Sequence, residues 1–377
     1  MSTDDGLQDM RELLLYDFVL YFKFFFKALT GRELIIPNPP GREPHIYTIG
    51  HDLERVLTNL SERVMYNLPP GYGKSTIICF FISWCWAKWP QGMIMYLSYS
   101  KPIAIKNTEF IRRITELPEY RLLFGVYISQ EMRGKERFRN NFGGEVYGAG
   151  LNGTITGFDA GLPGLEEFTG LLVIDDAHKV DEVHSDTIRE SIISNYQQTV
   201  STRVRGINVP VLYIGHMLHE LDLPSRLMQG LDGHDWRRIA LPALDVANNP
   251  LYPEKDTKET LLKMKEVNEY TFWSQYQQQP VTPGGSLFKR DHFILLDEEP
   301  KMLATFLTCD TAETDKTYND ATVFSFWGLY KIDETGSYGL HWIDCKEIRV
   351  EPYFLETEFL SFWHKCQQYD TPPRFTA

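Results

Sequence analysis

One run of eight residues, Leu68-Pro-Pro-Gly-Tyr-Gly-Lys-Ser75, does most to restrict what this 377-residue chain can fold into. The apolar run Val64 to Leu68 leads into it, and Lys74 to Lys88, apolar on most faces, follows it. The first reads as a short strand and the second as a buried helix, so the run sits at a strand-to-helix turn. Gly71 and Gly73 let backbone N–H groups turn inward around an anion, as in a P-loop. Lys74 adds a point charge, Ser75 a hydroxyl for Mg2+, and the helix start its positive end. Gly71, Tyr72, Gly73, Lys74, Ser75 and Thr76 are therefore the candidate nucleotide-binding residues. Leu68 stands where the pattern G-x-x-x-x-G-K-[ST] has its first Gly. Taken alone, the run also fits an ordinary turn before a helix.

A second run, Leu171-Leu-Val-Ile-Asp-Asp176, weights the reading toward phosphate chemistry. Four apolar residues ending in two acids make a buried strand that delivers carboxylates to its C-terminal edge. We assign Asp175 to a Mg2+ shell and Asp176 to the attacking water, with Lys74 as its catalytic partner. A third strand, Val209 to Ile214, leads into Gly215-His-Met-Leu-His219, where His216 or His219 is placed to feel a terminal phosphate. Four cations crowd Arg133-Gly-Lys-Glu-Arg-Phe-Arg139, either as DNA-phosphate contacts, as a contribution to a neighbour's site, or as a solvated loop.

Apolar strands alternating with helices run through the first three-quarters of the chain. Further strands are expected at Met93 to Ser98, and helices at Ile103 to Leu117 and Ser185 to Val200. That pattern predicts an α/β fold with a mostly parallel sheet. An aromatic-rich helix from Leu13 to Leu29 precedes it, interrupted by Asp17, Lys23 and Lys27, and is not a membrane span. Two Pro/Gly-rich stretches, around 36–44 and 279–285, punctuate the chain. The expected division is an N-terminal helical segment at 1–44, a P-loop domain at 45–245, a linker at 246–285 and a last domain at 286–377. In that last part Leu303 to Cys309, Thr322 to Leu329 and Tyr338 to Ile343 read as an antiparallel meander. A helix at Pro352 to Gln368 follows, and another strand begins near Phe375.

The 38 Lys and Arg against 51 Asp and Glu leave a formal net charge of −13. That excludes a binder whose whole surface neutralises nucleic acid, but not an enzyme with a local basic patch. The five Cys form no C-x-x-C pair and no Cys/His ligand spacing, which argues against a disulfide framework or structural zinc. The N-terminus is acidic and polar, unlike a secretory signal.

Taken together the motifs resemble the large terminase subunit of tailed bacteriophages. The resemblance covers the P-loop run, Ser98-Tyr-Ser100, Asn152-Gly-Thr-Ile-Thr-Gly157, Val173-Ile-Asp-Asp176, His219-Glu-Leu-Asp-Leu223 and Leu241-Pro-Ala-Leu244. It is strongest from Trp273-Ser-Gln-Tyr-Gln-Gln-Gln-Pro280 through Gly285-Ser-Leu-Phe-Lys289. It implies an ATPase of the additional-strand P-loop type, followed by a partial RNase H-like nuclease domain. The implied activity is ATP-driven packaging of double-stranded DNA, and the implied partners are a portal and a small terminase subunit. The chain is then expected as a monomer in isolation and a ring on the portal, in the cytoplasm of an infected or lysogenic bacterium. By position Asp310 matches the first metal carboxylate of the nuclease, with Mg2+ or Mn2+ as its ion, and Asp320 a supporting acid. Four features depart from the family. His216-Met-Leu stands where Thr-Arg-Trp is frequent, Phe158 follows Gly157, Tyr72 replaces a basic residue, and Asn140 to Ile188 holds no Arg. Arg203, Arg205 or the Arg133–Arg139 cluster is left to complete the site. The chain ends before an RNase H-like fold would supply its later acids, so we expect no DNA cleavage and weak metal binding. The alternative is a prophage remnant that binds ATP without moving DNA.

Overall fold

The computed structural model describes residues 3–153, 155, 157–280, 296, 298–311, 322–332, 337–348, 350 and 352–376. The chain divides into two compact units, Met1–Leu287 and Phe288–Ala377. The strands of the first unit are β1 (Arg63–Asn67), β2 (Met93–Ser98), β3 (Ile128–Arg133), β4 (Arg137–Asn140), β5 (Glu145–Gly150), β6 (Gly170–Asp175), β7 (Val211–Gly215) and β8 (Trp236–Ala240). They form one sheet in the order β3-β4-β5-β2-β6-β7-β1-β8. From β5 to β8 every pairing is parallel, while β3–β4 and β4–β5 are antiparallel. Strand β7 is inserted between the P-loop strand β1 and the acid strand β6, which is the additional-strand arrangement.

Strands in the middle of this sheet are apolar at every position because both faces are covered. Side chains alternate between two cores. Val64, Tyr66, Ile94, Tyr96, Leu171 and Val173 face one, whereas Met65, Met95, Leu97, Leu172 and Ile174 face the other. The first core is covered by α1 (Thr3–Tyr16), α2 (Phe18–Thr30), α3 (His45–Val56), α4 (Lys74–Lys88), α5 (Lys101–Thr115) and α6 (Pro118–Phe124). The second is covered by α7 (Asp186–Asn195), the π-turn Tyr196–Val200 and α8 (Leu223–Met228). Helix α4 is buried from Ile77 to Ala87, which explains why its sequence shows no polar face.

Three sequence expectations change in detail. The single helix expected from Leu13 to Leu29 is two, because Asp17 leaves the helical conformation and caps α2 by accepting the Leu20 N–H at 2.8 Å. Phe18 and Phe22 of α2 then meet Phe81, Trp84 and Phe80 of α4 at ring separations of 4.6–5.6 Å. The helix expected over Ser185 to Val200 stops at Asn195 and continues as the π-turn. The basic run at 133–139 is a hairpin between β3 and β4, pinned by the buried Glu145 of β5. Residues 246–280 carry α9 (Lys258–Val267) and α10 (Glu269–Thr271), with Leu261 and Phe272 packed on Ala243 and Leu244.

The second unit holds β9 (Met302–Asp310), β10 (Thr322–Lys331), β11 (Tyr338–Ile348), α11 (Leu355–Cys366) and β12 (Phe375–Thr376). Its sheet runs β11-β10-β9-β12. The meander β9-β10-β11 is antiparallel, and β12 returns parallel to β9, with Phe375 opposite Phe306. Phe324, Phe326 and Leu307 on one sheet face pack against Phe362 and Cys366 of α11. Among the described residues no helix is long and apolar enough to cross a membrane.

Candidate functional site

The site lies where β1, β6 and β7 end side by side. Beyond Asn67 the chain turns through Gly71 (φ 75°) and Gly73 (φ 79°), backbone that a side chain would strain. Gly73 is the N-cap of α4, and the first helical bond runs from Ile77 N–H to Gly73 C=O. The amides of Lys74, Ser75 and Thr76 are thus without partners inside the helix and open to an anion. The Tyr72 ring packs against His45 and Tyr252. The residue is buried, its carbonyl lies 2.9 Å from His45 Nε2, and its amide donates to the Pro69 carbonyl at 3.4 Å.

Lys74 Nζ reaches across to His216 Nε2 at 2.7 Å and to Asp176 Oδ2 at 3.5 Å. Two of the three expected strand ends therefore converge on the P-loop lysine. His216 is buried, and burial together with the Lys74 charge holds its imidazole down to about 4. The ring is neutral at physiological pH, with Nε2 accepting from Lys74 and the hydrogen on Nδ1. Of the two His weighed at this strand end, His216 meets the P-loop. His219 instead faces His184 at a ring separation of 6.1 Å, and its amide helps satisfy Asp222.

Asp175 is almost wholly buried. Its Oδ2 accepts from the Tyr96 hydroxyl at 2.5 Å and from Asn107 Nδ2 at 3.1 Å. Its Oδ1 makes no hydrogen bond, while the Ser75 side chain is close enough to favour the charged carboxylate. Burial first, and then the neighbouring Asp176, push Asp175 up to about 6. An orphaned buried oxygen beside a hydroxyl fits a small divalent cation. Mg2+ commonly takes one or two protein ligands and fills the rest with phosphate oxygens and water. Among the described residues no three His, Cys, Asp or Glu come together as a dedicated metal cage.

Asp176 sits at φ 47°, an uncommon conformation for a side-chain-bearing residue. Its amide bonds to Ile214 C=O at 2.8 Å and its carbonyl accepts from Tyr99 at 2.9 Å, which locks the turn. Its carboxylate is partly exposed and accepts from the His216 amide at 3.3 Å. Asn67 and Arg238 tie the frame together. Asn67 Nδ2 donates to Gly215 C=O at 2.9 Å, and Arg238 donates to Asn67 Oδ1 at 2.7 Å and to the Gln278 carbonyl at 2.6 Å. Sequence reasoning passed over Tyr96, Asn107 and Arg238. Tyr96 had a signal, an aromatic one strand away from the acid strand; the other two had none.

The cations considered for completing the site are engaged elsewhere. Arg133 pairs with Glu116, Lys135 with Glu109, and both Arg137 and Arg139 with Glu145. Arg203 and Arg205 share Asp159 at 3.5 and 3.0 Å. In the second unit Asp310 ends β9 opposite Val323 and is exposed. Asp344 is held by Lys365 at 2.6 Å and Tyr369 at 2.8 Å. Asp315, Asp320 and Gly285 to Lys289 lie outside the described residues, as do Thr154 and Thr156 of the Asn152–Gly157 motif.

No protein-family model and no curated protein matches the chain. Among solved structures it is similar to the large terminase of a thermophilic bacteriophage, at 9% identity over 93% of this chain and 75% of that one, with a TM-score of 0.38. It is similar to the bacteriophage HK97 large terminase, at 16% identity over 89% of this chain and 70% of that one, with a TM-score of 0.42. It is also similar to the large terminase ATPase domain of Thermus phage P74-26, at 12% identity over 68% of this chain and 97% of that one, with a TM-score of 0.38.

Proposed function

We propose that the chain is an ATP-hydrolysing motor subunit that packages double-stranded viral DNA. The observation that carries the reading is the convergence of Lys74, Asp175, Asp176 and His216 on one P-loop. The open amides of Lys74 to Thr76 take phosphate oxygens, and Lys74 brings a positive charge to the β- and γ-phosphates. Ser75 and Asp175 hold Mg2+, whose charge, when bound, offsets that of the phosphate oxygens. Asp176, partly exposed and fixed by its locked turn, orients the attacking water and accepts its proton. His216 stays neutral and competes with phosphate for Lys74, so it responds to whether the nucleotide is present.

The extension from ATPase to DNA motor rests on the order of the sequence motifs and on the second unit that follows. On this reading the isolated chain is a monomer with slow turnover. It completes its site in a ring on the portal, with a small terminase subunit delivering DNA, in the bacterial cytoplasm. Asp310 is assigned to a nuclease metal, Mg2+ or Mn2+, and we assign no DNA cleavage to this chain. Plasmid cutting with Mn2+ that Asp310→Ala removes would overturn that assignment.

The test of the motor reading is linear double-stranded DNA added to the purified chain with ATP and Mg2+. Phosphate release is expected to rise with DNA and to vanish in Lys74→Ala. Turnover indifferent to DNA contradicts a motor, and turnover that survives Lys74→Ala contradicts the site.

A further inference from the structure

A second cation stands against the phosphate cradle. Lys255 lies in the turn Tyr252–Asp256 that leads into α9, where the amides of Lys255 and Asp256 both donate to the Tyr252 carbonyl at 3.0 and 2.9 Å. A Cβ built on Gly71 would lie 2.9 Å from Lys255 Cε and 3.5 Å from its Nζ. The end of the Lys255 side chain therefore lies against the P-loop glycine, its Cε methylene nearest and the ammonium just beyond. It stands 5.0 Å from the centroid of the Tyr72 ring and 2.7 Å from Asp256 Oδ2. That ring is a fixed platform, buried and packed edge-on against Tyr252 at 5.5 Å. The Lys255 side chain is 34% exposed, so part of it already lies in water.

We infer that Lys255 is a phosphate-binding residue of the nucleotide site, parked on Asp256 and Tyr72 and transferred to the polyphosphate when nucleotide binds. The inference rests on the ATP-site reading above and adds to it a residue from outside the P-loop. Three arguments carry it. A polyphosphate on the open amides of 74–76 brings several negative charges near Lys255, whereas Asp256 offers one. Lys74 is already shared between His216 and Asp176, which leaves charge on the polyphosphate for another cation. A Lys ammonium on a flexible stem exchanges partners at little steric expense, which a rigid guanidinium fork does not.

The test is titration of the full-length chain with a fluorescent ATP analogue and Mg2+. Parent, Lys74→Ala, Lys255→Gln, Lys255→Arg and Asp256→Asn are compared at several salt concentrations. Lys255→Gln is expected to weaken binding about tenfold or more and to make it less salt-dependent, with the melting temperature of the nucleotide-free chain unchanged. Lys255→Arg, which keeps the charge but not the ease of partner exchange, should fall between the parent and Lys255→Gln, and affinity no better than Lys255→Gln would count against a charge role. Asp256→Asn, which releases the ammonium, should bind at least as tightly as the parent. Parental affinity in Lys255→Gln overturns the inference. So does an equal loss in Asp256→Asn, which would make Lys255 a strut of the turn. If the parent binds ATP and Lys74→Ala does not, the site reading stands however Lys255 behaves. A folded parent that binds no ATP refutes both.

Discussion

At the scale of single residues, the site is set by close approaches that leave no room for error. A Cβ on Gly215 would lie 2.5 Å from Asp176 Oδ1. Gly215→Ala is therefore expected to push the Asp176 carboxylate aside, lowering turnover at least about tenfold while ATP binding holds, because the water-orienting group moves and the phosphate cradle does not. Equal turnover in Gly215→Ala would show that Asp176 is not positioned from β7. Much of this site was legible in sequence. Gly71, Gly73, Lys74 and Ser75 announce themselves because an inward-turned backbone needs glycine and a phosphate needs charge. Asp175 and Asp176 do so because acids at the end of a buried apolar strand, downstream of a P-loop run, fit a Mg2+ shell better than a solvated acidic turn. What escaped was the environment of each group. Tyr96 and Asn107 hold Asp175 only because β2 and α5 lie beside β6. Lys255 reaches Gly71 from far along the chain, with no local pattern to mark it.

At the scale of elements, polar residues at a few positions decide where helices break and where strands pair. Asp17 splits the first aromatic helix in two because its side chain caps α2, a competition that hydrophobic spacing cannot register. The antiparallel edge β3-β4-β5 was not legible either, since each strand has only one or two buried apolar residues, Ile128, Phe138 and Val146 among them, and charged residues stand between them. Glu145, nearly buried, accepts from Arg137 Nε at 2.6 Å and also from Arg139. Removing it leaves two cations facing an empty pocket, although both stay partly in water. Glu145→Ala is expected to cost about 1–3 kcal/mol. Chemical denaturation checks this, and a loss below about 0.5 kcal/mol, the range of ordinary surface changes, would mean the hairpin does not depend on Glu145. Helix α4, by contrast, spans the Lys74 to Lys88 expected from sequence. An uninterrupted apolar run of that length after a glycine turn has few other ways to be buried.

At the scale of the whole molecule, a sheet covered on both faces carries its ionisable groups into the interior, and this gives stability a pH dependence. Burial is the first cause that holds His45, His178 and His216 down to about 4. An unfolded His titrates near about 6.5, so the folded chain binds fewer protons than the unfolded one between those values. The stability these three contribute is complete above that upper value and is lost as pH falls toward 4. Asp175 and Asp222, pushed up to about 6 by burial, act in the opposite sense over part of the range. A single-residue comparison separates the two effects. His178 Nε2 accepts the Leu223 N–H at 2.9 Å, a role that a Gln carbonyl can take. His178→Gln should gain on the parent by up to about 1.4 kcal/mol per pH unit as pH falls from 6.5 toward 4.5. A constant difference between the two denaturation profiles would show that His178 is not buried in its neutral form. The central claim, however, is that the ends of β1, β6 and β7 form one ATPase site with separate binding and chemical roles. The most direct measurement pairs ATP binding with ATP turnover in Lys74→Ala and Asp176→Asn. The account predicts that Lys74→Ala loses binding, whereas Asp176→Asn binds ATP and Mg2+ like the parent but no longer hydrolyses. Hydrolysis at the parent rate in Asp176→Asn would contradict it.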